Sequence, residues 1–231
     1  MDYNYILDIN KIEYAYLKIK KNTKHKSKVL KYELFYLANC IKIFEQLKNK
    51  SYTHGKYNIF LIKEPKIRVI MSEQIDDKIV NHLVSYFLLQ PLLEPKLIEM
   101  NVATRKNKGS NYAHHLFKKY INSLKINNKN IYILKCDITK YFYSIDHEIL
   151  LKKIKKILKD KDLFNLIKNI ITSTDTEYIN KYLMNYKNIP IYEKGKGLPI
   201  GNMTSQILAI FYLNDLDHYI KEKLKIKHYI R

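Results

Sequence analysis

Cysteine, glycine and arginine are the residues this chain nearly does without. Its two cysteines, Cys40 and Cys136, belong to no Cys-x-x-Cys pair or Cys/His cluster, which excludes a disulfide framework and a structural zinc site and fits a reducing cytoplasm. Long apolar runs are missing too. The longest, 83–93, is broken by Gln90 and Pro91, and the opening MDYNYILDINK lacks the basic and apolar regions of an export signal, so neither a membrane span nor export is expected. Only five glycines occur in 231 residues. Gly195, Gly197 and Gly201 share one stretch, where the backbone is expected to turn sharply or to approach another group closely. Among 42 basic Lys and Arg residues only Arg68, Arg105 and Arg231 are arginines, positions that call for guanidinium geometry rather than ordinary surface charge.

Acids are scarce relative to bases: 22 Asp and Glu leave a formal net charge of +20. Such a molecule attracts polyanions and loses that attraction as salt rises, which makes nucleic acid the leading partner. A general enrichment in Lys, Ile, Asn and Tyr accounts for part of the excess. A hydrophobic share of 46% excludes a chain held open by its charge, and the length allows one large core or two small ones.

Apolar residues at Leu30, Leu34, Leu37, Ile41 and Phe44 keep helical spacing, and a second helix is expected over 76–89. Between them, 57–62 and 67–71 are β-rich and are separated by Lys63, Glu64, Pro65 and Lys66. A hairpin with Arg68 on its second strand is expected there. Residues 101–111, NVATRKNKGSN, are basic and aperiodic and read as a loop before a helix over 112–124. After a polar linker at 125–130, residues 131–136 are expected to form a short buried strand that delivers Asp137 at its carboxyl end. Helices are expected over 146–158, 162–172 and 204–224, the last apolar through Leu213, and 226–230 is expected to open another strand.

The segment LKCDITKYFYSIDHEIL (134–150) places a carboxylate at a strand end, an aromatic cluster five residues on, and a helix start at Asp146. A divalent metal needs hard oxygen ligands on a rigid element, which makes Asp137 the candidate ligand. Taken alone, an acid there is as readily a helix cap or turn residue. Residues 195–206, GKGLPIGNMTSQ, form a glycine-rich turn feeding a helix whose N-terminus offers free amides to a phosphate or a backbone.

In this order the two segments resemble motifs A and B of the reverse transcriptases, in particular the bacterial group that includes retron, group II intron and diversity-generating enzymes. KEPKIRVIMSEQIDDKIVNHLV resembles that family's first fingers block and NVATRKNKGSNYA its second, so the similarity runs over most of the chain from about Tyr57. The resemblance implies an α+β right-hand polymerase fold, with an antiparallel sheet and packed helices. Its parts would be a helical extension (1–56), fingers (57–125) and a partial palm (126–231) with motifs A and B and no thumb. The implied activity is RNA-directed DNA synthesis: two-metal transfer of dNTPs onto the 3′-hydroxyl of a DNA or RNA primer, copied from an RNA template, with two Mg2+ or Mn2+ ions.

By the same resemblance Asp137 would bind the metal ions, and the Ile138 backbone would touch the triphosphate. Phe142 matches the bulky residue beneath the sugar that excludes a 2′-hydroxyl, although one ring of Tyr141, Phe142 and Tyr143 has to point inward as core in any case. Arg68 and Arg105 match fingers positions that reach the triphosphate, with Lys106 and Lys108 assisting. A solvated basic loop is the competing reading, stronger for the lysines. Gly201 would let the backbone approach nucleotide or template, and Gln206 would contact the template or serve as a structural amide. Asp146 as a helix cap, and Gly197, Pro199 and Ser205 as motif framework, complete the set. Ile200 departs from the Gln that many family members carry after Leu-Pro.

In the family, motif B is followed by a strand bearing aromatic-x-Asp-Asp, and this sequence stops at His228-Tyr229-Ile230-Arg231, where that strand would continue. Asp76 and Asp77 precede motif A, and Asp215 and Asp217 resemble a structural Leu-Asn-x-Leu-Asp stretch, so neither pair replaces it. Residues 1–231 by themselves are therefore expected to have little or no polymerase activity. The alternatives are a non-catalytic RNA-binding or maturase-like domain, and a basic helical adaptor that stacks bases on exposed tyrosines. The adaptor leaves the motif order unexplained.

Overall fold

A computed structural model of the chain describes residues 2–23, 27–62, 64, 67–127, 130–174, 177–186 and 189–231. Three helices come first: α1 (Ile9–Thr23), α2 (Ser27–Glu33) and α3 (Tyr36–Lys48). The helical spacing at Leu30 to Phe44 does mark helix, but the helix breaks at Leu34 and Phe35, and Leu30, Leu34, Leu37 and Ile41 face outward. The buried stripe of α3 is instead Cys40, Ile43 and Leu47. Both sets satisfy a 3.6-residue period; the packing of α3 against α1 and the helix α4 (Ile75–Val84) selects the second.

The expected hairpin is present as β1 (Asn58–Ile62) and β2 (Arg68–Ser72), antiparallel with Ile62 opposite Arg68. Lys63, Pro65 and Lys66 of its connection lie outside the described residues. Val69 and Met71 point inward from β2, and the strand's other edge is partly closed where the Met71 amide donates to the Ile200 carbonyl at 2.9 Å. The expected 76–89 helix is α4, which continues through a π-turn (Ser85–Leu89) into α5 (Gln90–Leu93). Pro91 stands at the start of α5, directly after the π-turn, and brings no N–H to bond back to that turn.

Next come α6 (Ser110–Asn127), the short α7 (Tyr141–Ser144), α8 (His147–Ile157), α9 (Lys161–Ile171) and α10 (Glu177–Leu183). Asp146 caps α8 by accepting from the Ile149 amide, and Asp160 caps α9 by accepting from Asp162 and Leu163. The long helix expected over 204–224 is divided into α11 (Met203–Tyr212), α12 (Asn214–His218) and a π-turn at Tyr219–Lys223. Where α11 ends, the Tyr212 carbonyl accepts from Lys153 Nζ at 2.6 Å. The main core gathers α1, α3, α4, α8, α9 and α11, and a smaller one joins Tyr57, Val69 and Met71 to Ile179, Leu183 and Tyr192.

Two expected strands are absent. Residues 130–138 have no regular structure, and Tyr132, Ile133 and Leu134 are exposed rather than buried. Strand propensity needs a neighbouring backbone to bond, and among the described residues no strand pairs with this segment. Residues 226–230 are irregular as well, although Arg231 exchanges backbone bonds with the 100–102 segment. The α+β expectation therefore reduces to a helix-rich chain whose regular sheet, among the described residues, is the two-stranded hairpin.

Candidate functional site

The two motif segments meet through their backbones. The His147 amide donates to the Gly195 carbonyl at 2.9 Å, Gly197 to Ile145 at 2.7 Å, and Leu198 to Phe142 at 2.8 Å, forming an antiparallel bridge at Asp146 and Lys196. The Gly197 carbonyl also accepts from Thr174 Oγ1 at 3.1 Å and lies 2.6 Å from His147 Nε2, fixing the ring with its Nε2–H toward that oxygen. The turn around Phe142 and the glycine-rich turn are thus one hydrogen-bonded unit.

Positive φ explains two of the glycines here. Gly197 has φ +92°, and a Cβ there would run into the Tyr192 ring; Gly201 has φ +134°, and a Cβ would stand 2.7 Å from the Met71 carbonyl oxygen. The close approach that Gly201 permits is therefore to strand β2. Pro199 and Ser205 are buried in the same framework. Gln206 is exposed on the first turn of α11, beside Gln90, Glu94 and Thr104 in a small recess.

Asp137 is exposed in the irregular segment before α7, with Ile138 46% exposed next to it. Lys140 takes φ +53° at the entry to α7, a left-handed residue that reverses the chain into the aromatic cluster. All three rings are half-buried: Tyr141 and Phe142 pack on the main core, while Tyr143 lies 4.6 Å from Tyr192 between centroids and belongs to the smaller one. Tyr141 OH donates to the Ala209 carbonyl at 2.5 Å, which ties the cluster to α11.

The three arginines do different things. Arg68 is exposed on β2. Arg105 is half-buried, its Nη1 donating to the carbonyls of Ile98 at 2.9 Å and Asn101 at 3.0 Å, so this guanidinium braces its own loop rather than facing solvent freely. Lys106 is exposed, and Lys108 Nζ donates to the Glu99 carbonyl at 2.6 Å. Arg231 clamps the fully buried Asp217 with two bonds, Nε to Oδ1 at 2.7 Å and Nη2 to Oδ2 at 2.5 Å.

Asp217 further accepts from Tyr229 OH at 2.6 Å and from Asn101 Nδ2 at 3.3 Å. It is a structural hub, in keeping with the reading of the Leu-Asn-x-Leu-Asp stretch. Sequence reasoning missed the buried polar cluster of His54, Glu73, Asp77 and Asn81, which holds residues 52–57 and β2 against α4 and α11. Tyr52 OH donates to Asp77 Oδ1 at 2.9 Å, and His54 Nε2 stands 3.6 Å from Glu73 Oε1. Burial raises the Glu73 carboxyl above its ordinary range. Burial also pulls His54 down, but Glu73 and Asp77 outweigh it and hold the imidazole above its usual value. The only signal in the sequence was polar residues at inward positions of α4.

A two-ion polymerase centre needs several carboxylates around one point. Among the described residues no three His, Cys, Asp or Glu side chains gather in that way. The donors brought together here do not compose such a centre. No helix among the described residues is long and apolar enough to cross a membrane.

The family model described as "Reverse transcriptase (RNA-dependent DNA polymerase)" matches residues 48–230. A curated relative, "Putative COX1/OXI3 intron 2 protein" of Saccharomyces cerevisiae, is 28% identical over 126 residues, covering 52% of this chain and 14% of that protein. The chain thus matches a small part of that relative's length.

Proposed function

Since this chain belongs to the reverse transcriptase (RNA-dependent DNA polymerase) family, we propose that it supplies the fingers and the first part of the palm of an RNA-directed DNA polymerase. Residues 57–125 act as fingers and 126–231 as palm, behind a helical extension at 1–56. The observation that carries this reading is the backbone bridge between the aromatic turn at 142–147 and the glycine-rich turn at 195–198, with β2 bonded to the next residue pair at Met71 and Ile200. It ties the β1–β2 hairpin, the 142–147 turn and the 195–200 turn together by backbone bonds, which supports reading them as parts of one domain.

In this reading Asp137 would contribute one of the carboxylates that hold Mg2+ or Mn2+, the remaining donors not being gathered among the described residues, and the Ile138 backbone would face the triphosphate of a dNTP. Arg68 and Lys106 are the fingers cations exposed for phosphate. Arg105 sets the shape of the loop that carries Lys106, through its bonds to Ile98 and Asn101. Phe142 lies under the sugar as a selector against the 2′-hydroxyl, and Gln206 faces the template. The nucleic acids are an RNA template and a DNA or RNA primer, attracted by the net charge of +20.

The test is template-primed dNTP incorporation by the protein as its gene encodes it. Asp137→Asn is expected to abolish incorporation, and Phe142→Ala to raise the use of ribonucleotides relative to deoxynucleotides. A second reading, a non-catalytic RNA-binding domain, is favoured by the exposure of Asp137 in an irregular segment and by the lack, among the described residues, of any group of three candidate metal ligands. Wild-type protein that binds RNA tightly and never extends a primer would establish that reading and remove the first. In either case Asp137→Asn should tighten RNA binding, because it deletes a negative charge facing phosphate.

A further inference from the structure

We propose that Asn81 is a positioning residue, tying the start of α11 to the end of β2 so that the glycine-rich turn and the strand carrying Arg68 keep one fixed separation. Asn81 is fully buried on α4, and both ends of its amide are used. Its Oδ1 accepts from Thr204 Oγ1 at 2.5 Å. Its Nδ2 donates to Glu73 Oε1 and, at 3.2 Å, to the Asp77 carbonyl one turn back on the same helix. Thr204 is the second residue of α11 and Glu73 directly follows β2, so a single side chain links two elements far apart in sequence.

Chemistry restricts what can stand at this position. Thr204 presents a hydroxyl donor and Glu73 a carboxylate acceptor, and of the side chains this size only an amide accepts from one and donates to the other. An aspartate would set a second carboxylate against Glu73, and a leucine would leave buried polar groups unpaired on both sides. The charge of Glu73 is balanced from its far side by His54, whose ring is held with Nδ1 donating to the Gly55 carbonyl at 2.8 Å and Nε2 turned toward the carboxylate. Asn202, which precedes α11 without capping it, spends its Nδ2 on Tyr57 OH at 3.0 Å. With the Met71 to Ile200 bond, the turn at 200–204 is held to the hairpin side of the molecule at three points, and Asn81 supplies the one nearest α11.

The functional half of this proposal rests on the polymerase reading, because a fixed separation matters to a nucleotide held between β2 and the turn. Displacements of about 1 Å in such positioning groups cost up to about 100-fold in turnover efficiency. Thr204→Val removes the hydroxyl and keeps the shape, and Thr204→Ser keeps the hydroxyl. In the protein as its gene encodes it, Thr204→Val is expected to raise KM for dNTP about tenfold with kcat changed less than about threefold, and Thr204→Ser to restore KM. Independently of activity, amide hydrogen exchange over 200–206 in residues 1–231 should quicken in Thr204→Val and in Asn81→Leu, but not in Thr204→Ser, while α9 keeps its rates. Unchanged exchange over 200–206, or a rise shared equally by α9, overturns the tie. If wild type incorporates no nucleotide, the polymerase reading falls and the exchange result alone decides the tie. If wild type is active and KM stays put in Thr204→Val, the positioning role is overturned.

Discussion

Gly201 shows how one residue's conformation is set by its neighbour in space. Its φ of +134° and the Met71 carbonyl 2.7 Å from a would-be Cβ leave room for hydrogen alone. Gly201→Ala is therefore expected to lower stability by about 2 kcal/mol or more even without nucleotide, measured as a shift in denaturant midpoint at unchanged slope. A glycine kept only for nucleotide approach would leave the free protein's midpoint unmoved. His54 makes a second prediction at this scale. Its folded pKa is raised by Glu73 and Asp77, with Tyr57 packed on its ring, so the stability it contributes is fully present below the unfolded value of 6.5 and is lost as pH rises through the folded value. The stability gap between wild type and His54→Gln should shrink as melts are carried from acidic to alkaline pH; a constant gap would mean that the imidazole is not charged in the fold.

At the scale of elements, the two capped helices differ in what their caps hold. Asp146 accepts one amide, from Ile149, whereas Asp160 accepts those of Asp162 and Leu163 and, through its other oxygen, that of Tyr3. Asp146→Ala is expected to cost about 1 kcal/mol, an ordinary cap loss. Asp160→Ala should cost more and should also release the N-terminal turn at Tyr3–Ile6 to proteolysis, a readout that Asp146→Ala leaves alone. Helices such as α8 and α9 were legible because cap and apolar stripe lie within a few residues of each other. The stripe on α3 was misjudged because two stripes of equal period overlap there, and the neighbour decides which one is buried. The 131–136 segment has the composition of a strand, but a strand is completed by another strand's amides and carbonyls, which composition does not supply.

For the whole molecule, Asp217 joins distant parts of the chain: Asn101 from the loop before α6, α12 itself, and Tyr229 and Arg231. Asp217→Asn leaves a half-buried guanidinium without its charge partner and is expected to cost about 3 kcal/mol or more in unfolding experiments. A loss under about 1 kcal/mol would show that the pair is worth no more than a surface one. The same scale governs RNA affinity. A net charge of +20 binds phosphate by releasing counterions, so affinity should fall steeply and linearly in log–log terms as salt rises. Nucleotide incorporation by residues 1–231 alone is expected to be near background, since among the described residues no three candidate metal ligands gather at one point.

The sequence by itself determined the hairpin, the capped helices, the order of two motif segments in one family's pattern, and the rarity that singled out Arg105, Arg231 and Gly201. Those features are written in local spacing or in residue types too scarce to be incidental. Only the tertiary structure decided what these residues touch. Arg105 turns back on its own loop, Arg231 finds Asp217, Gly201 meets β2 rather than open space, and Asn81 finds a hydroxyl 123 positions away. The reason is that a buried polar group takes whichever partner the packed backbone brings within hydrogen-bond reach, and that choice is made by contacts distant in sequence.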